Sequence, residues 1–128
     1  MLQDTLADAL TVIKNAEKIG RRECTIKSSK LLEDILKIMK DNGYIGNYEN
    51  VKDGKGNLLR VELKGKIIDA RVIKPRFAVK TDEYEKWEKR FLPAKNIGIL
   101  ILSTPKGIMT HYKAKESNTG GRLVSYVY

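Results

Sequence analysis

Residues 98–110, GILILSTPKGIMT, decide how the C-terminal half of this chain folds. The run from Gly98 to Leu102 is short, apolar and uninterrupted, which is typical of a buried strand. It is followed by four residues that suit contacts to phosphates and sugars, namely Ser103, Thr104, Lys106 and Gly107. Two hydroxyls and an ammonium supply hydrogen-bond donors, and a glycine allows another backbone to approach closely. The stretch therefore predicts a strand that ends in a polar loop, and the same hydroxyls also fit a simple strand end.

The charge of the chain favours a polyanionic partner. Lys and Arg number 25 and Asp and Glu number 16, for a formal net charge of +9 over 128 residues. Such a charge attracts RNA, DNA or acidic membranes from a distance. Between residues 64 and 80 a single acid, Asp69, stands among the cations Lys64, Lys66, Arg71, Lys74, Arg76 and Lys80. This concentration indicates a local surface facing phosphates, with Lys74 and Arg76 as candidate contacts.

Cysteine content and hydropathy indicate a cytoplasmic protein that is neither secreted nor inserted in a membrane. Cys24 is the only cysteine, so no intramolecular disulfide is possible. The longest apolar run, Ile97 to Leu102, is far shorter than the roughly 20 residues of a membrane span. Residues 1–10 carry no basic segment typical of a secretion signal.

The N-terminal half has the pattern of an α-β-α-β-β domain. Asp4 is placed to cap a first helix that stops near Gly20, and residues 23–27 follow as a strand. Ser28 or Ser29 caps a second helix that ends at Gly43. Its apolar face is Leu31, Leu32, Ile35, Leu36 and Met39. Strands are predicted over residues 44–51 and 58–63, joined by the turn Asp53-Gly54-Lys55-Gly56.

The C-terminal half is predicted to be mostly β with a short helix. A strand over residues 67–73 precedes Pro75, which suits a sheet edge. Residues 82–91 fit either a short helix or an ordered loop, and Thr110 is placed to cap a short helix through Lys115. The last strand covers residues 122–128. The fold class is α+β in two small domains, residues 1–65 and 66–128.

No group of residues supports catalysis, a cofactor or a metal. Cys24 and His111 are the only cysteine and histidine, too few for a structural zinc site within one chain. Cys24 fits a core or interface position, and His111 is predicted at the surface. The glycines match neither a phosphate-binding loop nor a dinucleotide fingerprint. The pair Gly120-Gly121 has two interpretations, a loop into the last strand or backbone that lies against RNA.

The motifs together resemble the family of the universal small-subunit ribosomal protein eight, in its archaeal and eukaryotic branch, over essentially the whole chain. The most specific stretches are Ser103-Thr104, Lys106 to Thr110, Gly120-Gly121-Arg122 and Tyr126-Val127-Tyr128. Further matches are Asp4 to Ala7, Ser28 to Leu31, Asp41 to Gly46, Lys74 to Phe77 and Leu92 to Ala94.

The resemblance implies a cytoplasmic ribosomal protein with an α/β and a β-rich domain. Its partners would be the central domain of small-subunit rRNA, bound early in assembly, and neighbouring ribosomal proteins, without a membrane, cofactor or small-molecule substrate. Ser103, Thr104, Lys106 and Gly107 would meet an irregular RNA minor groove, with Gly121 and Arg122 beside them. The N-terminal RNA contacts would be Asp4, Thr11, Lys14, Asn15, Ser29 and Lys30, and at helix termini these same groups also fit capping roles.

Pro105 departs from the family pattern, which commonly places a hydroxyl or another donor at this position. Proline lacks both a hydroxyl and a backbone N–H, so such a contact is lost, replaced by water or made by Lys106. Alternatively, the ring rigidifies the loop and lowers the cost of ordering it on binding. The rival function is an RNA-modifying or RNA-hydrolysing enzyme whose basic surface only holds its substrate.

Overall fold

The computed structural model describes residues 5–52, 57–94 and 96–128. The chain packs as two compact units, residues 1–69 and 70–128. The sequence places the domain boundary between residues 65 and 66, and that limit stays a prediction. Asp4 and the turn from Asp53 to Gly56 lie outside the described residues.

Unit 1 has the predicted α-β-α-β-β order. Its elements are α1 (Thr5–Lys18), β1 (Glu23–Lys27), α2 (Lys30–Asp41), β2 (Ile45–Lys52) and β3 (Asn57–Leu63). The strands form an antiparallel sheet in the order β1-β3-β2. The apolar faces of the two helices are buried, with Leu10 and Ile13 from α1 and Leu32, Ile35, Leu36 and Met39 from α2.

The ends of α2 follow from local side-chain chemistry. Of the two serines before it, Ser29 is the cap, because its hydroxyl accepts the N–H of Leu32 at 3.2 Å. The Ser28 hydroxyl instead donates to the Glu33 carboxylate at 3.4 Å. Gly43 follows the helix with a φ of 80°, the left-handed conformation expected there.

The predicted strand over residues 67–73 is wrong for most of its length. Only Ala70–Val72 pairs as a strand, labelled β4. The Glu17 carboxylate of α1 accepts the backbone N–H of Gly65 at 3.1 Å and that of Ile67 at 3.0 Å. Lys14 also pairs with Asp69 at 2.9 Å. The segment before β4 is therefore held by α1 side chains, which take two of its backbone donors.

Unit 2 is mostly β, and its described residues include two short helices. The elements after β4 are β5 (Ala78–Val79), α3 (Tyr84–Phe91), β6 (Ile99–Thr104), β7 (Gly107–Thr110), α4 (His111–Glu116) and β8 (Gly121–Val127). The five strands form one antiparallel sheet in the order β4-β8-β6-β7, with β5 also on β8. Strand β7 was not predicted, and residues 82–91, left open between helix and loop, contain α3.

The core of unit 2 lies between one sheet face and its helices. Leu100, Leu102, Leu123 and Ala114 are fully buried, and Trp87 of α3 packs with them. Trp87 also stacks on Phe77, with ring centroids 4.8 Å apart, and on Phe91 at 6.2 Å. Trp87 therefore packs in the core with Phe77 and Phe91 against it, and these rings do not form a platform for bases.

Candidate nucleic-acid interface

The polar loop predicted from the sequence is the exposed end of the β6–β7 hairpin. Thr104 pairs with Gly107, so Pro105 and Lys106 alone connect the two strands. The proline ring holds φ near −65°, the value needed at the first central position of a tight turn. Gly107 has a φ of 116°, which a residue with a side chain rarely adopts. The sequence of the loop therefore suits a tight turn, with proline at its first central position and glycine where φ is positive.

The two hydroxyls of this loop differ in what they contact. Thr104 Oγ1 accepts the backbone N–H of Lys106 at 3.1 Å and donates to the carbonyl oxygen of Gly107 at 2.8 Å. Ser103 is exposed, and within the described residues its hydroxyl has no hydrogen bond. Lys106 is likewise exposed and has no ion pair in that part of the chain. The free donors at the surface are thus those of Ser103 and Lys106.

Strand register places Ser103 in a row with residues of three other strands. Ser103 pairs with Ile108 on β7 and with Arg122 on β8, and Arg122 pairs with Ala78 on β5. Residues directly opposite one another lie on the same face of a sheet. The Arg122 guanidinium also donates to the carbonyl oxygen of Arg76 at 3.4 Å. The structure therefore brings Ser103, Arg122 and the Arg76 backbone together at one end of the sheet.

The pair Gly120-Gly121 is explained by the sheet itself. A Cβ atom on Gly120 would lie 2.6 Å from the carbonyl oxygen of Val79, and one on Gly121 would lie 2.5 Å from that of Ser103. Both distances are far below van der Waals contact, so neither position accommodates a side chain. The close approach is to neighbouring strands of the same chain, a third reason beside the two weighed from the sequence.

The candidate residues of unit 1 lie on its two helices. Thr11, Lys14 and Asn15 belong to α1, and Ser29 and Lys30 are at the start of α2. Three of them have roles within the fold: Thr11 donates to the carbonyl oxygen of Ala7, Lys14 pairs with Asp69, and Ser29 caps α2. Asn15 and Lys30 are exposed. In unit 2, Lys74 and Arg76 are exposed before β5.

His111 is buried, so its predicted surface position is wrong. The side chain is 1% exposed, and its Nδ1 accepts the backbone N–H of Leu100 at 3.0 Å. Its Nε2 lies 3.2 Å from a carboxylate oxygen of Glu88, which also pairs with Lys115. Burial lowers the pKa of His111 to about 4 despite the nearby Glu88 carboxylate.

His111 is buried because it directly follows the end of the β6–β7 hairpin. Ile101 pairs with Thr110, the last residue of β7. The backbone N–H of the preceding residue on β6, Leu100, therefore has no strand partner on β7 and bonds to the His111 side chain. Thr110 also caps α4 by accepting the N–H of Lys113 at 3.2 Å, so the first helical residue, His111, comes directly after the hairpin. A six-residue helix has too few residues for its sequence to show which face is buried.

Cys24 is buried in β1, as its strand pattern predicts. The pKa of this thiol is raised to about 11, chiefly by burial and to a smaller extent by the negative charges of Glu17 and Glu23. Among the described residues, no cluster of His, Cys, Asp and Glu side chains could hold a metal ion. None of the helices in that part of the chain is both long and apolar enough to span a membrane.

Arg90 contacts three aromatic rings, which was not predicted from the sequence. The Arg90 guanidinium at the end of α3 lies 4.8 Å from the ring centroid of Phe77, 5.4 Å from that of Trp87 and 5.3 Å from that of Phe91. The spacing of Arg90 three residues after Trp87 is a signal for this contact, because such residues are neighbours on a helix surface.

Comparison with known proteins identifies the family. The profile described as Ribosomal protein S8 matches residues 4–128. A curated relative, "Small ribosomal subunit protein uS8" of Methanococcoides burtonii, is 55% identical over 129 residues, covering 100% of this chain and 99% of the relative. That source, an archaeal methanogen, is consistent with the archaeal branch indicated by the motifs. The chain belongs to the ribosomal protein S8 family.

Proposed function

We propose that this chain is a non-enzymatic structural component of the small ribosomal subunit that binds rRNA directly through the exposed end of the β6–β7 hairpin. The proposal rests on the exposed side chain of Ser103. Its hydroxyl is exposed, has no hydrogen bond within the described residues, and stands in register with Arg122. Lys106 adds a charge from the adjoining turn.

The chemistry of these groups suits an RNA minor groove. A serine hydroxyl both donates and accepts, so it can pair with a ribose 2′-OH or with a base edge. Lys106 and Arg122 supply phosphate contacts on either side of Ser103, and Lys74 and Arg76 extend the basic surface. The proposed mode of recognition is shape and minor-groove contact, with Gly107 allowing close backbone approach at the turn and Gly121 beside it on β8.

Family membership supports rRNA and ribosomal proteins as partners, and we propose the finer assignment that follows. The RNA is the central domain of small-subunit rRNA, bound early in assembly on the cytoplasmic ribosome, and neighbouring ribosomal proteins complete the contacts. In unit 1, Asn15 and Lys30 are the exposed candidates for further RNA contacts. Thr11, Lys14 and Ser29 would contribute in addition to their roles in the fold. An RNA-modifying or RNA-hydrolysing enzyme has no support from the family to which the chain belongs.

A filter-binding titration tests this function. The full chain is titrated with central-domain rRNA fragments and with unrelated rRNA fragments of equal length over a salt series. We expect tight, saturable binding to one central-domain fragment, with the RNA recovered intact. Ser103→Ala should weaken that binding by about 1–3 kcal/mol, because RNA groups buried at the contact lose a hydrogen bond.

The matched control is Thr25→Ala, which removes an exposed hydroxyl from β1 in unit 1. It should leave the affinity unchanged. Equal affinity for all fragments, or wild-type affinity of a folded Ser103→Ala variant, would contradict the proposed site.

A further inference from the structure

The one hydroxyl proton of Thr104 is used within its own loop. A hydroxyl has one hydrogen to donate, and that of Thr104 goes to the carbonyl oxygen of Gly107 at 2.8 Å. The same oxygen accepts the N–H of Lys106 at 3.1 Å. Thr104 can therefore donate to an RNA group only by breaking the bond that closes the turn.

The methyl group of Thr104 is held as well. A Cβ atom on Gly121 would lie 2.9 Å from Thr104 Cγ2, so in the actual structure this methyl packs against the Gly121 backbone of β8. A β-branched side chain with both branches in contact has a single χ1 rotamer available. The hydroxyl is therefore aimed at the turn by packing against the neighbouring strand.

Within the described part of the chain, the Thr104 hydroxyl is the hydrogen-bond partner of the one backbone N–H in the turn. Pro105 has no N–H, so Lys106 carries the sole backbone donor between the paired residues Thr104 and Gly107. That donor is bonded to Thr104 Oγ1. The groups left to face outward are the Ser103 hydroxyl and the Lys106 ammonium, which flank Thr104 and Pro105.

We propose that Thr104 is a positioning residue for RNA binding: its hydroxyl proton is kept for the turn and is not donated to RNA, so that Ser103 and Lys106 present their donors in one geometry. The inference rests on the proposed function of the loop. Its physical basis is preorganisation, since a loop ordered before binding loses less conformational entropy on binding. It also assigns Pro105 a part in this, because the ring restricts the same turn.

Two substitutions separate the branches of the Thr104 side chain. Thr104→Val keeps the packing against Gly121 and removes the hydroxyl, whereas Thr104→Ser keeps the hydroxyl and removes the methyl. In the free protein, exchange of the Lys106 amide with water, followed by NMR, should accelerate in Thr104→Val and stay near wild type in Thr104→Ser. Thermal unfolding of both variants verifies that the fold is intact.

Binding to the central-domain rRNA fragment then tests the role of the ordered turn. We expect Thr104→Val to bind about tenfold more weakly, and Thr104→Ser to stay within about threefold of wild type. A double-mutant cycle with Ser103→Ala distinguishes positioning from contact. If Thr104 acts through Ser103, adding Thr104→Val to Ser103→Ala should cost less than about threefold, far from the product of the single effects.

Fully multiplicative losses in the cycle would make Thr104 an independent contact and overturn the inference. Equal binding of the two Thr104 variants, or unchanged Lys106 exchange in Thr104→Val, would also overturn it. The proposed function fails separately, if the wild-type chain shows no saturable binding to any central-domain fragment.

Discussion

At each end of the β6–β7 hairpin a side chain accepts a backbone N–H, but one end is exposed to solvent and the other is buried. At the exposed end, the Thr104 hydroxyl accepts the backbone N–H of Lys106. At the buried end, the His111 imidazole accepts the backbone N–H of Leu100. In each case a side chain takes a donor that the strand ladder leaves unpaired. The difference is solvent, because water can replace the hydroxyl at the exposed end and cannot reach the donor at the other.

This difference decides what each contact is for. A buried N–H without a partner costs roughly 1–3 kcal/mol, so the His111 contact supports folding. An exposed N–H that loses its partner bonds to water at little cost, so the Thr104 contact chiefly sets the shape of the loop. One hairpin thus has a stabilising end and, under the proposed function, a recognition end, and the predictions below test that division.

The largest effect is expected at the buried end and depends on pH. The pKa of His111 is about 4 in the folded chain, below its ordinary value of 6.5. Between these values the unfolded chain binds more protons, so stability falls as the pH falls through this window. The loss should approach about 3 kcal/mol by pH 4, read from urea unfolding as a function of pH.

His111→Asn is the matched variant, because its amide oxygen can accept the Leu100 N–H without titrating. Its unfolding free energy should be flatter between pH 6.5 and 4 than that of the wild type. The charged neighbours Glu88 and Lys115 remain in the variant and are thereby controlled. Parallel pH profiles of the two proteins would show that His111 is not buried in its neutral form.

A smaller effect is expected beside the exposed end, where β8 crosses the hairpin. Gly121→Ala places a methyl 2.5 Å from the Ser103 carbonyl oxygen, which is backbone and cannot move aside alone. We expect a loss of about 2 kcal/mol in the free energy of unfolding, measured by chemical denaturation. Gly46→Ala is the control, because there the new methyl would meet the movable side chain of Glu62, at 2.8 Å. A loss no greater than in this control would contradict the close contact between β8 and β6.

Much of this fold could be predicted from local chemistry. The buried run before Ser103, the Thr110 cap of α4 and the apolar face of α2 each follow from residues adjacent in sequence. The loop was also identified correctly as exposed and polar. These features depend on periodicity, capping and turn preferences, which a single sequence contains.

The errors arise where distant residues decide the outcome. Residues 67–69 were predicted to be part of a strand and are not, because Glu17, some fifty residues earlier, takes the backbone N–H of Ile67. His111 is buried because β7 pairs with β6, and β7 itself was missed. The strand contacts of the glycine pair are not an error but an addition, because the sequence does not reveal which strands flank it. Each case is a tertiary contact with no local signal.

The smallest effect on stability is expected at the recognition end itself. Thr104→Val removes a hydroxyl whose two partners, the Lys106 N–H and the Gly107 carbonyl, belong to exposed residues. Water can hydrate both, and the retained methyls preserve the contact with Gly121. The free energy of unfolding should therefore change by less than about 0.5 kcal/mol, even though RNA binding weakens. A loss above about 2 kcal/mol in chemical denaturation would show that Thr104, like His111, belongs to the stabilising part of the hairpin, and the division between the two ends would fail.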